Sequence, residues 1–334
     1  MINVITETSS ISNSKTGILK AGNPISQTND IVQIISEAGF NWEVSKRPLA
    51  TSSVVHPLLF DKGINPTSID PYPSESMIPI KEYYAIVRND TNHPLGIVGS
   101  EYTPINNFDS MSMFETLISD KTIIVQRAGL FGGGTNAWVI AYYPKEIKIV
   151  KNGREIQLHQ YFLLGWSHNG TESLHSNFIS YTSDGVVVNP SLPHVKNSFA
   201  IRHTKNSSAR IKIVTDIVKH GNNYFNALGE KVQEFVNAEF TYDNMSKFLE
   251  EFFGDNDSKQ SERSRCEIRE IFLKENDPSK WGAFKSASLW AEECRSTRNR
   301  DNSEEVAEEK KLKSIWTGSI SGLKNKAFTI INSI

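Results

Sequence analysis

Thr122-Ile-Ile-Val-Gln-Arg-Ala-Gly-Leu-Phe-Gly-Gly-Gly-Thr-Asn-Ala-Trp-Val-Ile-Ala-Tyr-Tyr143 sets two runs of β-branched and aromatic residues on either side of three glycines. Such side chains suit a pleated, half-buried surface, and glycine adopts the φ > 0 that a tight reversal demands, so the stretch predicts an antiparallel hairpin. A phosphate-cradling loop would need Gly-Lys-Ser/Thr followed by a helix, whereas a strand follows these glycines. Alternation places Trp138, Ile140 and Tyr142 on one face and Val139, Ala141 and Tyr143 on the other, and leaves open which face is wet. Most of the strand aromatics, including Trp42, Trp166 and Tyr181, are expected in the core, although exposed ones could stack on unpaired bases.

The same pattern continues outward. Tyr83-Tyr-Ala-Ile-Val-Arg88, Leu95-Gly-Ile-Val98 and Tyr161-Phe-Leu-Leu-Gly-Trp166 read as further strands. Turn residues separate them at Asn89 to Pro94, Lys151 to Arg154 and His168 to Gly170. One helix is predicted from about Phe108 to Ile118, with Met111, Phe114, Leu117 and Ile118 on one face. From Ser207 the period becomes helical, since Ile211, Val214, Val218, Phe225, Leu228, Val232 and Phe235 keep steps of three and four, in a helix that could run past Phe240. Further helices are expected over Glu262 to Lys274, Trp281 to Cys294 and Ile320 to Ile331, with Arg295 to Lys311 a charged connector. The fold class is therefore α+β: an antiparallel sheet of hairpins with a packed helix, followed by a helical C-terminal region. Three segments are expected: a polar N-terminal arm over 1–40, mobile to about Gln27 and then carrying a short helix before Gly39; a mainly β core over 41–206; and a helical region over 207–334.

The chain has 334 residues, 38% hydrophobic and 22% charged, enough for a sizeable core. Its net charge of −2 excludes the overall basicity of a histone-like binder, so any nucleic-acid surface is local. No apolar run approaches a membrane span and the polar N-terminus lacks the order of a signal peptide, which makes the cytoplasm the expected compartment and gives no membrane partner. Cys266 and Cys294 stand too far apart and are too few for a disulfide framework or a zinc ribbon. The histidines show no metal-ligand spacing, no nucleophile elbow occurs, and Glu101, Asp109 and Glu115 fit no catalytic carboxylate pattern. No catalytic residue, metal or cofactor is predicted.

Charge is the informative local feature. Residues 196–220 hold six cations against Asp216 alone, a balance of +5 that leaves −7 for the rest of the chain. Arg210 and Lys212 fall at the start of the long helix, where the macrodipole disfavours cations unless an anion completes the site. Lys196, Arg202, His203, Lys205, Arg210 and Lys212 are accordingly the candidate phosphate contacts.

Several short stretches carry a family resemblance: Trp42-Glu-Val-Ser-Lys-Arg-Pro-Leu49, Leu95 to Asn107, Ala128-Gly-Leu-Phe-Gly-Gly-Gly134, Ser167-His-Asn-Gly170, Ile201-Arg-His-Thr204, Trp281-Gly-Ala-Phe284 and Lys324-Asn-Lys-Ala-Phe328. In this order they resemble the phage/plasmid-like proteins of domain-of-unknown-function family 932, over roughly Trp42 to the end. Members often carry Cys-x-Asn-Thr before the Arg-His-Thr motif; here that region reads Val186-Val-Val-Asn-Pro-Ser-Leu-Pro193, so no role of that cysteine or asparagine transfers. The resemblance implies work on mobile DNA or against host defence, inside a bacterial cell, and supplies no reaction. At the level of fold, hairpins, a packed helix and a basic segment look similar to phage single-strand annealing recombinases, whose oligomers line basic strips into a track. The expected function is thus single-stranded DNA binding or annealing in recombination or replication by a non-enzymatic homo-oligomer. The alternative is a protein-interaction module that binds or inhibits a host protein partner, its long helix sealing an interface.

Overall fold

The computed structural model describes residues 21–52, 77–151, 154–183, 186–200, 207–255, 258–294 and 304–334. The chain is α+β. β1 (Asn23–Pro24) precedes α1 (Ile31–Glu37), where Asp30 caps the first turn by accepting from the Val32 N–H at 2.9 Å and Gly39 leaves the helix at φ 71°. β2 (Val44–Ser52), β3 (Met77–Arg88) and β4 (Pro94–Gly99) form a three-stranded antiparallel sheet of their own. α2 (Asn107–Ser112) and α3 (Glu115–Ser119) stand in place of one continuous helix, because the backbone leaves helical geometry at Phe114 (φ −105°, ψ 1°). Met111, Phe114, Leu117 and Ile118 are all buried nonetheless.

β5 (Ile124–Phe131), β6 (Asn136–Lys151), β7 (Arg154–Ser167) and β8 (His175–Thr182) follow as consecutive antiparallel hairpins. The glycine triplet is the first turn, with φ of 58°, 66° and 107° at Gly132, Gly133 and Gly134. β9 (Val187–Val188) and β10 (Ser198–Ala200) complete a seven-stranded sheet in the order β1-β5-β6-β7-β8-β10, with β9 also on β8. The arm expected to about Gln27 is docked from residue 21 onward. Asn23 pairs with Ala128, and the Arg127 guanidinium donates to the carbonyls of Ala21 and Gly22 at 2.5 and 2.7 Å. Polar composition conceals this anchoring because backbone groups make it. Residues 1–20 lie outside the described residues.

The helical region comprises α4 (Ser207–Asn237), α5 (Tyr242–Phe253), α6 (Lys259–Glu275), α7 (Lys280–Leu289) with a π-helical turn at Trp290–Cys294, α8 (Glu304–Trp316) and α9 (Ser319–Ser333). α4 stops short of Phe240, since Thr241 opens α5 with a capping box to Asn244. α8 occupies part of the stretch expected to be a charged connector. Its acids precede its lysines, as the helix dipole favours, and Leu312, Ile315 and Trp316 anchor it in the core.

Both faces of the large sheet are covered at its centre, while the far end of β6 reaches solvent at Glu146, Lys148 and Val150. Tyr143, Phe162 and Phe178 pack on Phe225 of α4, with ring centroids 5.9 to 6.1 Å apart, and on the opposite face Trp138 meets Trp316 of α8 at 5.1 Å. Trp42, Trp138, Tyr143, Trp166 and Tyr181 are buried, and Tyr142 packs against the core. Within α4, Ile217, Phe225, Leu228, Val232 and Phe235 are also buried, Phe235 stacking on Phe328 at 4.6 Å. That part of the stripe is therefore covered from within the chain. A buried ion pair, Lys324 Nζ to Glu292 Oε1 at 2.7 Å, ties α9 to the π turn, and Lys324 also donates to the Val187 carbonyl of β9 at 3.1 Å. Among the described residues no helix is long and apolar enough to cross a membrane.

Candidate nucleic-acid interface

The two sheets are joined by a buried polar pivot. Asn107, at the start of α2, donates from Nδ2 to the carbonyls of Phe40 and Trp42 at 3.2 and 3.3 Å. Its Oδ1 accepts from Trp166 Nε1 at 3.1 Å and lies 2.9 Å from His168 Nε2. His168 Nδ1 is 2.8 Å from the Ile105 carbonyl. Burial pushes the imidazole down to about 4, with the Arg88 cation acting in the same direction against the Ile105 hydrogen bond, so the ring is neutral at pH 7. Arg88 lies over the Trp42 ring at 4.1 Å, pairs with Asp90 at 2.7 Å and donates to the Gly133 carbonyl at 3.1 Å. Apart from one of the two histidine nitrogens, these groups find partners in this network, so the pivot positions the residues that follow His168.

Residues 168–174 link the small sheet to the C-terminal helices. A Cβ on Gly96 would lie 2.6 Å from Asn169 Cβ, the Tyr102 hydroxyl donates to the His168 carbonyl at 3.0 Å, and Glu172 pairs with Lys313 of α8 at 2.8 Å. Beyond this loop, at the β10 edge of the large sheet, opens a cleft of about 620 Å³. Glu172, together with His175 and Asn177 of β8, the whole of β10, Lys310 and Lys313 of α8 and the α8–α9 turn, lines it. The turn delivers the N-terminus of α9, which has no acid in its first turn and no side-chain cap from Gly318. The Ile320 N–H is met locally, donating to Ser314 Oγ at 3.1 Å. The positive end of a fifteen-residue helix and two lysines thus share one mouth with the Glu172 carboxylate, which pairs with Lys313, a balance that still leans towards an anion.

Of the six residues predicted from sequence, Lys196 is exposed two positions before β10, and Lys212 is exposed on α4. α4 and β10 are in contact through Phe199 and His220, whose rings are 5.2 Å apart. Arg210 lies in the first turn of α4. Arg202, His203 and Lys205 lie outside the described residues, in the segment that joins β10 to α4. Sequence reasoning missed Lys310 and Lys313. The signal was present in Glu304-Glu-Val-Ala-Glu-Glu-Lys-Lys-Leu-Lys313, whose acid-to-base order is that of a helix with lysines at its C-terminal end. The carboxylates Glu101 and Glu115 are exposed, and Asp109 is partly so.

The model of the family described as Domain of unknown function (DUF932) matches residues 94–316, about two thirds of the chain. Neither the curated proteins nor the solved structures give a match.

Proposed function

The chain belongs to the DUF932 family, and we propose that it is a non-enzymatic nucleic-acid-binding protein of a phage or plasmid, holding single-stranded DNA for annealing, recombination or replication in the bacterial cytoplasm. The observation that supports this reading is the gathering of positive charge at one edge of an otherwise acidic chain. Lys310, Lys313 with its partner Glu172, and the N-terminus of α9 line the cleft, and β10 leads from that cleft into the segment richest in cations. Phosphates of a single strand would follow this edge, with Lys196, Arg202, Lys205, Arg210 and Lys212 continuing the track and His203 adding charge mainly below neutral pH. Assembly of several copies would extend the track, which gives oligomerisation a purpose in this scheme. The mobile-element setting is drawn from the family resemblance.

The test is binding of the purified chain to labelled single- and double-stranded DNA over a salt series, with mass measured by light scattering. Single-strand binding by an oligomer is expected, and the slope of log K against log salt should become shallower by about 0.7 for each phosphate-neutralising cation that is replaced. Replacing Lys196, Arg202, Lys205 and Arg210 by alanine weakens binding across all sequences. Undiminished binding, or an unchanged slope, refutes the track. If the single strand is held for annealing, added complementary strand is converted to duplex faster with the protein than without it.

A further inference from the structure

Resting on the nucleic-acid reading above, we infer a second element of the site: the outer face of the β2–β3–β4 sheet is a stacking shelf for unpaired bases, with Tyr83 as its aromatic platform and Arg47 as its phosphate clamp. The inner face of this sheet is filled by Val44, Ile86 and Val98 packed with Trp42 and Leu95. Residues directly opposite each other across antiparallel strands point the same way. Arg47, Ala85 and Ile97 are so aligned across all three strands, and Tyr83 and Gly99 form the next rung on that side. Tyr83 is 54% exposed and Ile97 65%. Among the described residues, a Cβ on Gly99 would meet nothing within 4 Å, so no described side chain fills the space beside Tyr83. Four of the nine large hydrophobic side chains exposed among the described residues, Ile78, Ile80, Tyr83 and Ile97, belong to β3 and β4. Such concentration marks a binding face.

Arg47 indicates what binds there. Its Nε donates to Ser45 Oγ at 3.1 Å, Nη1 to Asn92 Oδ1 at 3.0 Å and Nη2 to Asn89 Oδ1 at 3.5 Å, and it makes no ion pair among the described residues. Three neutral acceptors hold the guanidinium in place without cancelling its charge, so a phosphate meets a cation that is already ordered. An apolar protein partner would instead have to bury that cation unpaired. Single-stranded nucleic acid alternates a charged phosphate with a flat ring, and the shelf alternates a cation with an aromatic about 7 Å apart, one rung along the strands. Glu82, exposed beside Tyr83, repels phosphate at that rung and leaves Arg47 as the phosphate end. Residues 168–174 touch the inner face of the small sheet at Gly96, opposite Ile86, and so support the sheet from the side away from the shelf.

The experiment is fluorescence anisotropy of the full chain with a fluorescein-labelled oligothymidylate over a salt series, together with photocrosslinking to the same oligomer carrying 5-iododeoxyuridine. Tyr83→Ala is expected to weaken binding roughly five- to a hundred-fold with no change in salt slope, and Tyr83→Phe to restore it. Arg47→Ala is expected to weaken binding and to lower the slope by about 0.7. Crosslinks should map to the peptide containing Tyr83. Both side chains are exposed, so unchanged thermal unfolding separates loss of the shelf from loss of the fold. If Tyr83→Ala and Arg47→Ala bind as the wild type does while Lys196→Ala and Lys313→Ala weaken binding, the shelf is overturned and the cleft stands. If the wild type binds no strand even at low salt, both fall. If Tyr83→Ala changes only the mass seen by light scattering, the face is a contact between copies and the inference is wrong.

Discussion

Acidification is expected to destabilise the protein through His168. In the unfolded chain its imidazole titrates near 6.5, and in the fold near 4. Between these values the unfolded state binds a proton that the native state does not, so stability falls as pH drops through this window and levels off below it. The gap corresponds to about 3 kcal/mol, at about 1.4 kcal/mol per unit. Two effects compete at the ring. Both nitrogens face oxygens, Ile105 O at 2.8 Å and Asn107 Oδ1 at 2.9 Å, and only the imidazolium donates to both. The amide cannot turn to relieve this, because Oδ1 accepts from Trp166 and Nδ2 donates to two carbonyls. A hydrogen bond to a charged group contributes about 1.5–3 kcal/mol. Removing a charge from water in a buried site shifts a pKa by up to about 3–5 units, or roughly 4–7 kcal/mol. Here the Arg88 cation, which acts on the ring, has the same sign as the imidazolium. Burial therefore wins, and the neutral ring donates Nδ1–H to Ile105. Urea unfolding of the wild type and of His168→Gln, compared from about pH 7.5 to 4.5, isolates the effect as a difference. A difference that does not change with pH, or a wild type that gains on the variant as pH falls, refutes this account.

Three further outcomes follow from contacts in the core. Lys324→Met strands the buried Glu292 carboxylate and is expected to lower stability by about 3–5 kcal/mol, with Glu292→Leu in the same chain recovering much of it; calorimetry checks both. Asn107→Ala leaves the Trp166 indole N–H and the carbonyls of Phe40 and Trp42 without partners and should cost at least about 2 kcal/mol in urea unfolding. Gly129→Ala places a Cβ 2.5 Å from the Trp138 ring, so a loss of about 1–3 kcal/mol and an altered near-ultraviolet circular dichroism spectrum from the Trp138–Trp316 pair are expected. An unaltered spectrum would show that the ring is not held where the geometry puts it.

The hairpins were legible because local chemistry dictates them: three glycines at positive φ, flanked by runs with a two-residue period, leave the chain few alternatives. β2 was not legible. Val44-Ser-Lys-Arg-Pro-Leu-Ala-Thr-Ser52 has a proline and little alternation, and its pairing depends on being an edge strand, where Pro48 can lack an N–H donor. α8 was hidden for a related reason. Its many charges resemble a solvated connector, and only burial of Leu312, Ile315 and Trp316 makes it part of the fold. That misreading removed Lys310 and Lys313 from the candidate site. The pivot was beyond reach for a third reason, because Asn107 lies 59 and 61 residues from Trp166 and His168, and no local pattern announces so distant a hydrogen bond.

Four of the stretches that carry the family resemblance, at 42–49, 95–107, 128–134 and 167–170, converge in space. Trp42, stacked by Arg88, meets the His168 ring at 4.9 Å; Asn107 and Gly133 bind the same assembly; and in the helical region Phe284 meets Phe328 at 5.3 Å. These residues build the joint between the two sheets and the packing of the C-terminal helices, and their polar groups face inward. These family stretches therefore mark the architecture. The groups proposed to meet a ligand lie elsewhere, on the surfaces that the joint holds apart: Lys196, Lys310 and Lys313 at the edge of the large sheet, Tyr83 and Arg47 on the small one. A mutation in the joint should then weaken binding at both surfaces together by loosening residues 168–174, whereas a mutation at either surface should act there alone. This distinction makes Asn107→Ala as informative for the proposed function as any change of a lysine.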